Sequence, residues 1–112
     1  MSTRRGEVWL VDFGEPVGRE QSGTRPAVVV SADALNESRA GVVVVVPITT
    51  AYRGLPPHVE IDVDGSGLDE VSYAKCEDVK SVSEQRLVGR LGSAGEQAMF
   101  EAARALRFLL DL

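Results

Sequence analysis

The sequence predicts a mainly β protein, a small and mostly antiparallel barrel with one α-helix appended near its C-terminal end. Three observations support this fold class. Short segments rich in β-branched and aromatic residues recur along the chain, separated by loops that contain glycine and proline. These segments do not alternate with long helical patterns, which argues against a parallel sheet. An extended amphipathic helical pattern is found near the C-terminal end of the chain.

The first two strands are predicted in the N-terminal third of the chain. Residues 7–13 read Glu-Val-Trp-Leu-Val-Asp-Phe, a composition that favours a strand. Residues 14–24 form a loop longer than most hairpin connections, which makes it a candidate binding loop. Residues 26–31 follow as a buried strand, and its first position, Pro26, is one where a strand tolerates proline.

A helical turn and a central strand come next. We expect a turn through residues 34–36, capped by Ser31 or Asp33 and broken by Gly41. Residues 42–46 are five consecutive valines. This composition disfavours a helix and favours a central strand.

The second half of the chain predicts three further strands. Residues 58–63 alternate polar and apolar side chains, as a half-exposed strand does. Residues 71–82 predict a long strand with a bulge or bend near residues 77–78, where the alternation breaks. A helical turn is expected at residues 83–87, and residues 88–91 predict a short last strand.

The C-terminal segment predicts an amphipathic helix packed on the sheet. Ser93-Ala94-Gly95-Glu96 matches the capping-box pattern of a serine followed three residues later by a glutamate. The apolar stripe that follows is typical of a core-facing helix and comprises Met99, Ala102, Ala103, Leu106, Leu109 and Leu110.

Length and composition indicate one globular domain over residues 1–112. Apolar residues make up 44% and charged residues 26% of the 112 positions. The net charge of −5 argues against a broad, sequence-independent grip on nucleic acid, but a small local basic site is compatible with it. Ten of the twelve basic residues are arginine, which suits bidentate phosphate contacts better than lysine does.

Single cysteine and histidine residues limit metal and disulfide chemistry. Cys76 has no cysteine to pair with, and we expect it to be a buried residue of a strand in a reducing cytoplasm. His58 cannot form a two-histidine metal site by itself, and we expect it at the surface. No cofactor and no metal are therefore expected. No secretory signal or membrane-spanning run is expected either.

A set of polar residues lies at predicted strand ends and on the long loop. Arg25 immediately precedes the second strand, and Thr49 follows the valine strand. Antiparallel pairing would bring these two side chains to one edge, where a guanidinium beside a hydroxyl suits an oxyanion or phosphate. Taken alone, the local pattern around Arg25 favours an ordinary solvated arginine at a strand start. The set comprises Glu20, Gln21, Arg25, Thr49, Thr50 and Lys80.

Four segments together resemble the MazF/PemK family of toxin endoribonucleases from bacterial toxin–antitoxin pairs. They follow in the family's order over nearly the whole chain, and none would be specific alone. They are Arg5-Gly6-Glu7-Val8-Trp9, Gly18-Arg19-Glu20-Gln21-Ser22-Gly23-Thr24-Arg25-Pro26, Val46-Pro47-Ile48-Thr49-Thr50, and Asp78-Val79-Lys80-Ser81-Val82 with Arg86-Leu87.

The resemblance implies an SH3-like barrel, a homodimer, and metal-independent cleavage of single-stranded RNA at short sequence motifs. It implies a growth-inhibiting cytoplasmic toxin that is neutralised by an acidic antitoxin. The family's active-site arginine and threonine correspond to Arg25 and Thr49, and its loop glutamate corresponds to Glu20. A narrow groove lined by Arg19, Arg25, Arg53, Lys80 and Arg86 would be locally positive. The expected RNA-binding residues are Arg19, Gln21, Thr50, Arg53, Lys80 and Arg86.

The implied chemistry is consistent with these residue types. Attack by a ribose 2′-hydroxyl on its own phosphate explains a preference for RNA over DNA. Arg25 would neutralise the phosphoryl oxygens and Thr49 would donate a hydrogen bond to one of them. Glu20 is a better proton acceptor than an arginine, but the residues alone leave the general base open.

Two other functions are compatible with the same barrel. One is a non-nucleolytic relative that poisons a protein target such as DNA gyrase, and the other is a plain SH3-like interaction module. A polyproline-binding module is disfavoured because one tryptophan and two tyrosines provide little of an aromatic groove.

Overall fold

The computed structural model describes residues 2–15, 18 and 22–112. The described part of the chain contains seven strands, two α-helices and two 3₁₀ turns. Their bounds are β1 Glu7–Asp12, β2 Thr24–Val29, α1 Asp33–Asn36, β3 Val42–Thr49, β4 His58–Ile61, β5 Ser72–Lys75, a 3₁₀ turn Cys76–Asp78, β6 Lys80–Ser83, a 3₁₀ turn Glu84–Arg86, β7 Leu87–Ser93 and α2 Glu96–Leu110.

Strand β3 is the centre of the sheet. The described strands pair antiparallel in the order β4-β5-β3-β2-β1-β7, and β6 joins β3 outside this path. The first half of β3 pairs with β6, from Val42 opposite Ser83 to Val45 opposite Lys80, and its last residues pair with β5. Pro47 lies at the junction of these two segments, which suits a residue without a backbone N–H.

The predicted fold class is confirmed as a mainly antiparallel β structure with one C-terminal helix packed on it. The sheet curls like a small barrel, and the 3₁₀ turn Glu84–Arg86 connects β6 to β7. These two strands do not pair with each other among the described residues, so the barrel is not closed by hydrogen bonds.

The valines of β3 are consecutive because both faces of this strand are buried. Val43 and Val45 enter one core, while Val46 and Ile48 enter the other. The barrel core comprises Trp9, Val11, Phe13, Ala27, Val29, Val43, Val45, Val82 and Leu87. The helix-side core lies between the sheet and α2 and includes Val8, Val28, Val30, Val46, Ile48, Val59, Ile61, Ala74, Cys76, Ala98 and Ala102.

Several predicted strands have different bounds in the structure. The strand predicted at residues 26–31 is Thr24–Val29, and the one predicted at residues 58–63 ends at Ile61. The single strand predicted at residues 71–82 is divided into β5 and β6, and the 3₁₀ turn between them, Cys76–Asp78, falls where a bend is predicted. The division lets both pieces pair with successive parts of β3. Strand β7 extends the prediction of residues 88–91 at both ends because it pairs with the whole of β1 except Asp12.

Both predicted helix caps are wrong. Helix α1 has Ala32 as its N-cap and no side-chain capping bond, because the Asp33 carboxylate instead accepts a hydrogen bond from the Arg5 backbone N–H at 2.7 Å. The capping box before α2 does not form either. Ser93 belongs to β7, opposite Glu7, so the helix begins after Gly95.

Helix α2 packs on the sheet through small residues. Ala98 and Ala102 are buried, and Met99 and Leu106 pack against the same core. The last turn departs from the predicted stripe, since Leu110 is 54% exposed beyond the sheet. Neither helix in the described part of the chain has the length and apolar character needed to cross a membrane.

The structure buries the histidine that the sequence predicts at the surface. The His58 side chain is only 4% exposed, and its Nε2 lies 2.8 Å from Glu77 Oε2. Tertiary contact between β4 and the 3₁₀ turn Cys76–Asp78 causes this burial, because the Cys76 N–H donates to the Pro57 carbonyl. Cys76 is fully buried as predicted, although it starts the turn and is not in a strand. Burial, then the charge of Glu77, raises the pKa of the Cys76 thiol to about 11.

The Glu7 carboxylate ties the start of β1 to β7. It accepts hydrogen bonds from the Arg4 backbone N–H at 2.8 Å, from Trp9 Nε1 at 3.1 Å and from Arg90 Nε at 2.7 Å. Burial raises the pKa of this carboxyl, but the three hydrogen bonds and the Arg90 charge outweigh burial and hold the pKa below its ordinary 4.5. The charged form of Glu7 therefore stabilises the fold.

The turn that follows β4 makes a close backbone contact with β7. A Cβ on Gly67, where φ is +77°, would lie 2.2 Å from the Leu91 carbonyl oxygen. Gly65 has nearly the same φ, +76°, but open space around it. Substitutions at Gly67 and Gly65 therefore distinguish a steric clash from backbone strain alone.

Candidate functional site

One end of the sheet collects most of the predicted site residues, and we call it the polar edge. Strands β1 and β3 end there and β2 begins there, while β6 begins four residues short of the end of β3, with Lys80 opposite Val45. On β2, Arg25 lies opposite Val11 of β1. The β2–β3 register runs to Ala27 opposite Pro47, and continuing it by two residues sets Arg25 opposite Thr49. This continued register would bring the two predicted catalytic residues to the same edge.

Arg25 is exposed at the mouth of the barrel core. It lies two residues before Ala27, so its side chain leaves the strand on the face that Ala27 and Val29 bury. Its Nε donates to the Ser22 carbonyl at 3.3 Å. No carboxylate of the described residues forms an ion pair with it, so its terminal nitrogens can bind an anion.

Thr49 ends β3 with its hydroxyl oriented by the backbone. Its Oγ1 accepts a hydrogen bond from the Ala51 N–H at 3.1 Å. Because the oxygen is the acceptor in this bond, its own proton remains available to a ligand. Thr50 is the next residue and is exposed.

Lys80 begins β6 on the barrel-core side of the same edge. It lies opposite Val45, and its Nζ is 5.7 Å from the centre of the Phe13 ring. Phe13 is itself a barrel-core residue. This cation–π contact restrains the ammonium near the end of β1.

Arg86 clasps the end of β1 rather than standing free. Its Nη1 donates to the Asp12 carbonyl at 3.0 Å. A Cβ on Gly14 would lie 3.2 Å from the same nitrogen, so the guanidinium lies directly over this glycine. Arg86 therefore fixes the point where the long loop leaves the sheet. Arg53 is exposed in the loop that follows Thr50.

Three predicted site residues, Arg19, Glu20 and Gln21, lie outside the described residues.

The sequence reasoning missed an aromatic pair beside Thr49. Tyr73 of β5 lies directly opposite Thr49. The rings of Tyr52 and Tyr73 meet edge to face, with centroids 5.4 Å apart and an angle of 62°. No sequence signal could reveal this contact, because it depends on which strand pairs with the end of β3.

The polar edge is locally cationic although the chain is acidic overall. Arg25, Arg53, Lys80 and Arg86 form no ion pair with a carboxylate in the described ranges. The net charge of −5 therefore does not describe this surface. A cavity of about 580 Å³ lies elsewhere, between β4 and α2, and none of the polar-edge residues lines it.

Comparison with known proteins agrees with the fold. Residues 4–110 match the family model described as the PemK-like, MazF-like toxin of type II toxin–antitoxin systems. The chain belongs to this family.

Individual relatives extend the comparison over the whole chain. The chain is 34% identical to endoribonuclease MazF9 of Mycobacterium tuberculosis over 97% of each chain. MazF of Deinococcus radiodurans shares the fold, with a TM-score of 0.86 at 24% identity over 100% of this chain and 99% of that one. A mycobacterial endoribonuclease solved with its cognate antitoxin has a TM-score of 0.82 at 26% identity, over 98% and 96% of the two chains.

Proposed function

We propose that the polar edge is the active site with which this toxin cleaves single-stranded RNA at specific sequences, without a metal ion. Family membership and the endoribonuclease relatives support the activity, and the chain is accordingly a toxin endoribonuclease. The observation that supports the assignment of the site is the β2–β3 register, which, continued two residues past Ala27 opposite Pro47, would set Arg25 opposite Thr49.

The proposed reaction is an internal transfer at phosphorus. The ribose 2′-oxygen loses its proton and attacks the adjacent phosphorus, and the bond from phosphorus to the 5′-oxygen breaks. The products are a 2′,3′-cyclic phosphate and a 5′-hydroxyl, which forms when the departing 5′-oxygen takes up a proton. Arg25 neutralises charge on the phosphoryl oxygens, and the Thr49 hydroxyl donates a hydrogen bond to one of them.

Glu20 is the proposed proton acceptor for the 2′-hydroxyl. Its carboxylate suits this role, whereas an arginine with a pKa above ~12 does not. Its position in the long loop, five residues before Arg25, supports the assignment.

The RNA path is proposed to follow the cations of this edge. Arg19, Gln21, Thr50, Arg53, Lys80 and Arg86 bind the strand on either side of the cleaved bond. Because the site is small within an acidic protein, recognition rests on base contacts more than on broad phosphate attraction. We therefore expect affinity to depend only modestly on salt.

The proposed assembly is a homodimer of single-domain chains in the cytoplasm, inhibited by an acidic antitoxin. The mycobacterial relative solved with its cognate antitoxin supports the antitoxin as partner. The cations of the polar edge, which no described carboxylate pairs, support an acidic ligand. No cofactor is required by the proposed reaction.

The proposal is tested by incubating the protein with a long RNA in EDTA and mapping the ends. We expect discrete cuts with 2′,3′-cyclic phosphate ends, lost in Arg25→Ala and retained in Arg107→Ala, an exposed arginine on α2. A single 2′-deoxy nucleotide at the cut position should abolish cleavage there. Absence of cleavage, or cleavage indifferent to Arg25→Ala, would overturn the proposal in favour of a non-nucleolytic barrel.

A further inference from the structure

We infer that Tyr52 and Tyr73 form a stacking site for an unpaired nucleobase next to the cleaved phosphate. This inference rests on the proposed function and assigns a base contact to it. An aromatic ring with an open face is the group on which single-stranded bases stack.

The position of the pair follows from the sheet. Tyr73 lies directly across from Thr49 in the β3–β5 ladder, so the two side chains share a face and are separated by about one strand spacing, ~4.8 Å. Continuing the β2–β3 register two residues past Ala27 and Pro47 sets Arg25 at the next position of this row, on the other side of Thr49. A nucleotide whose phosphate contacts Arg25 and Thr49 therefore has its neighbouring base within reach of Tyr73.

The tyrosines form an ordered pair with an open ring face. Tyr73 is partly buried and supports Tyr52 edge to face at 5.4 Å. Tyr52 is 75% exposed, so a base can reach its ring. The hydrogen bond from Ala51 N–H to Thr49 Oγ1 orients the start of its loop.

The backbone of Gly54, in the same loop, lies beside the Tyr52 hydroxyl. A Cβ on Gly54 would lie 3.2 Å from Tyr52 Oη, so the absence of a side chain at Gly54 lets the backbone approach the phenol. The ring is therefore restrained before any base arrives, which lowers the entropy cost of stacking.

Charge along the row favours a base over a phosphate at the tyrosines. Past Thr49 and Tyr73, the next residue across the sheet is Glu60, which lies opposite Tyr73 on β4. Its carboxylate repels phosphate, whereas Arg25 at the opposite end of the row attracts it. Along this row, the phosphate therefore lies near Arg25 and the base lies at the tyrosines.

The test compares Tyr52→Leu with Tyr52→Phe on a short RNA that has a single cut site. We expect Leu to raise KM ten- to a hundredfold with kcat little changed, and Phe to retain wild-type values, because stacking needs the ring and not the hydroxyl. Phe108→Leu is the matched control, since Phe108 is an exposed aromatic residue on α2. Tyr73→Leu tests the contribution of the ring that supports Tyr52, and circular dichroism checks that this variant is folded.

An abasic substrate identifies the base that stacks. Removing one base beside the cut should raise the KM of the wild-type enzyme as much as Tyr52→Leu does. The same removal should not raise the KM of Tyr52→Leu any further. If the abasic substrate and Tyr52→Leu together raise KM by the product of their separate effects, the inference is overturned.

Binding of an uncleavable 2′-deoxy oligonucleotide separates this inference from the proposed function. Weaker binding by Tyr52→Leu supports stacking even if wild-type RNA cleavage were absent. Unchanged binding and unchanged cleavage by Tyr52→Leu would overturn the inference. The tyrosine pair would then be a contact for a protein partner.

Discussion

Thr49→Val is the most direct probe of the proposed chemistry. The substitution keeps the β-branched shape at the end of β3 and removes only the hydroxyl, whose oxygen accepts from Ala51 N–H at 3.1 Å. If the hydroxyl proton binds a phosphoryl oxygen in the transition state, its loss raises the barrier by ~2.7–4 kcal/mol. This corresponds to a fall of about 100- to 1,000-fold in kcat.

The same substitution should cost little stability. The Ala51 N–H is exposed and can bond to water, so the lost hydrogen bond costs about 0.5–1.5 kcal/mol. Ser83→Ala provides a matched control at the other end of the barrel. Ser83 Oγ accepts from Gln85 N–H at 3.2 Å, the same contact at another strand end.

Single-turnover cleavage of a defined RNA and urea unfolding measure the two effects separately. We expect Thr49→Val to lose activity with a small stability change, and Ser83→Ala to lose a similar amount of stability with no loss of activity. A fall in kcat below tenfold for Thr49→Val, or an equal fall for Ser83→Ala, would refute the assigned role.

Three further predictions concern stability and reactivity. Gly67→Ala should destabilise the fold by about 1–3 kcal/mol more than Gly65→Ala in urea unfolding. Both substitutions introduce the same φ strain, but only the Cβ at position 67 would clash with a carbonyl oxygen. Equal losses of stability would contradict this contact. Glu7→Gln should lower the free energy of unfolding by about 1–3 kcal/mol at pH 7. This difference should shrink as pH falls below about 4.5, because protonation of Glu7 removes the charge that stabilises the wild type. A difference that stays constant between pH 7 and 3 would count against this role. Cys76, with its pKa raised to about 11, should resist iodoacetamide at pH 8 in the native protein and react after unfolding, and rapid native labelling would show that the thiol is accessible.

Local patterns predicted most of the strands because composition and periodicity act within each segment. Residues 7–13 and the valine run both appear as strands, as predicted. Element ends were less predictable. Ser93 matches a helix cap locally, but pairing with Glu7 holds it in β7, and the tertiary contact wins over the local preference.

The site was partly predictable for the same reason. Arg25 and Thr49 are recognisable because Arg25 precedes Pro26 and Thr49 follows the valine strand. Antiparallel pairing of β2 with β3 is observed, and its register, continued by two residues, would bring them to one edge. The roles assigned to them remain predictions, as do those of Glu20 and the loop residues around it. Tyr73 was not predictable as a site residue, since its partner strand is distant in the sequence.

By itself, the sequence determined the fold class, the strand segments and the polar motif that surrounds Arg25. The tertiary structure alone decided that β3 divides its outer edge between β6 and β5, which puts Tyr73 opposite Thr49 and Lys80 beside Phe13. It also decided that His58 is buried against Glu77. The physical reason is that strand register is set by burial summed over many distant contacts, and no single segment contains that information.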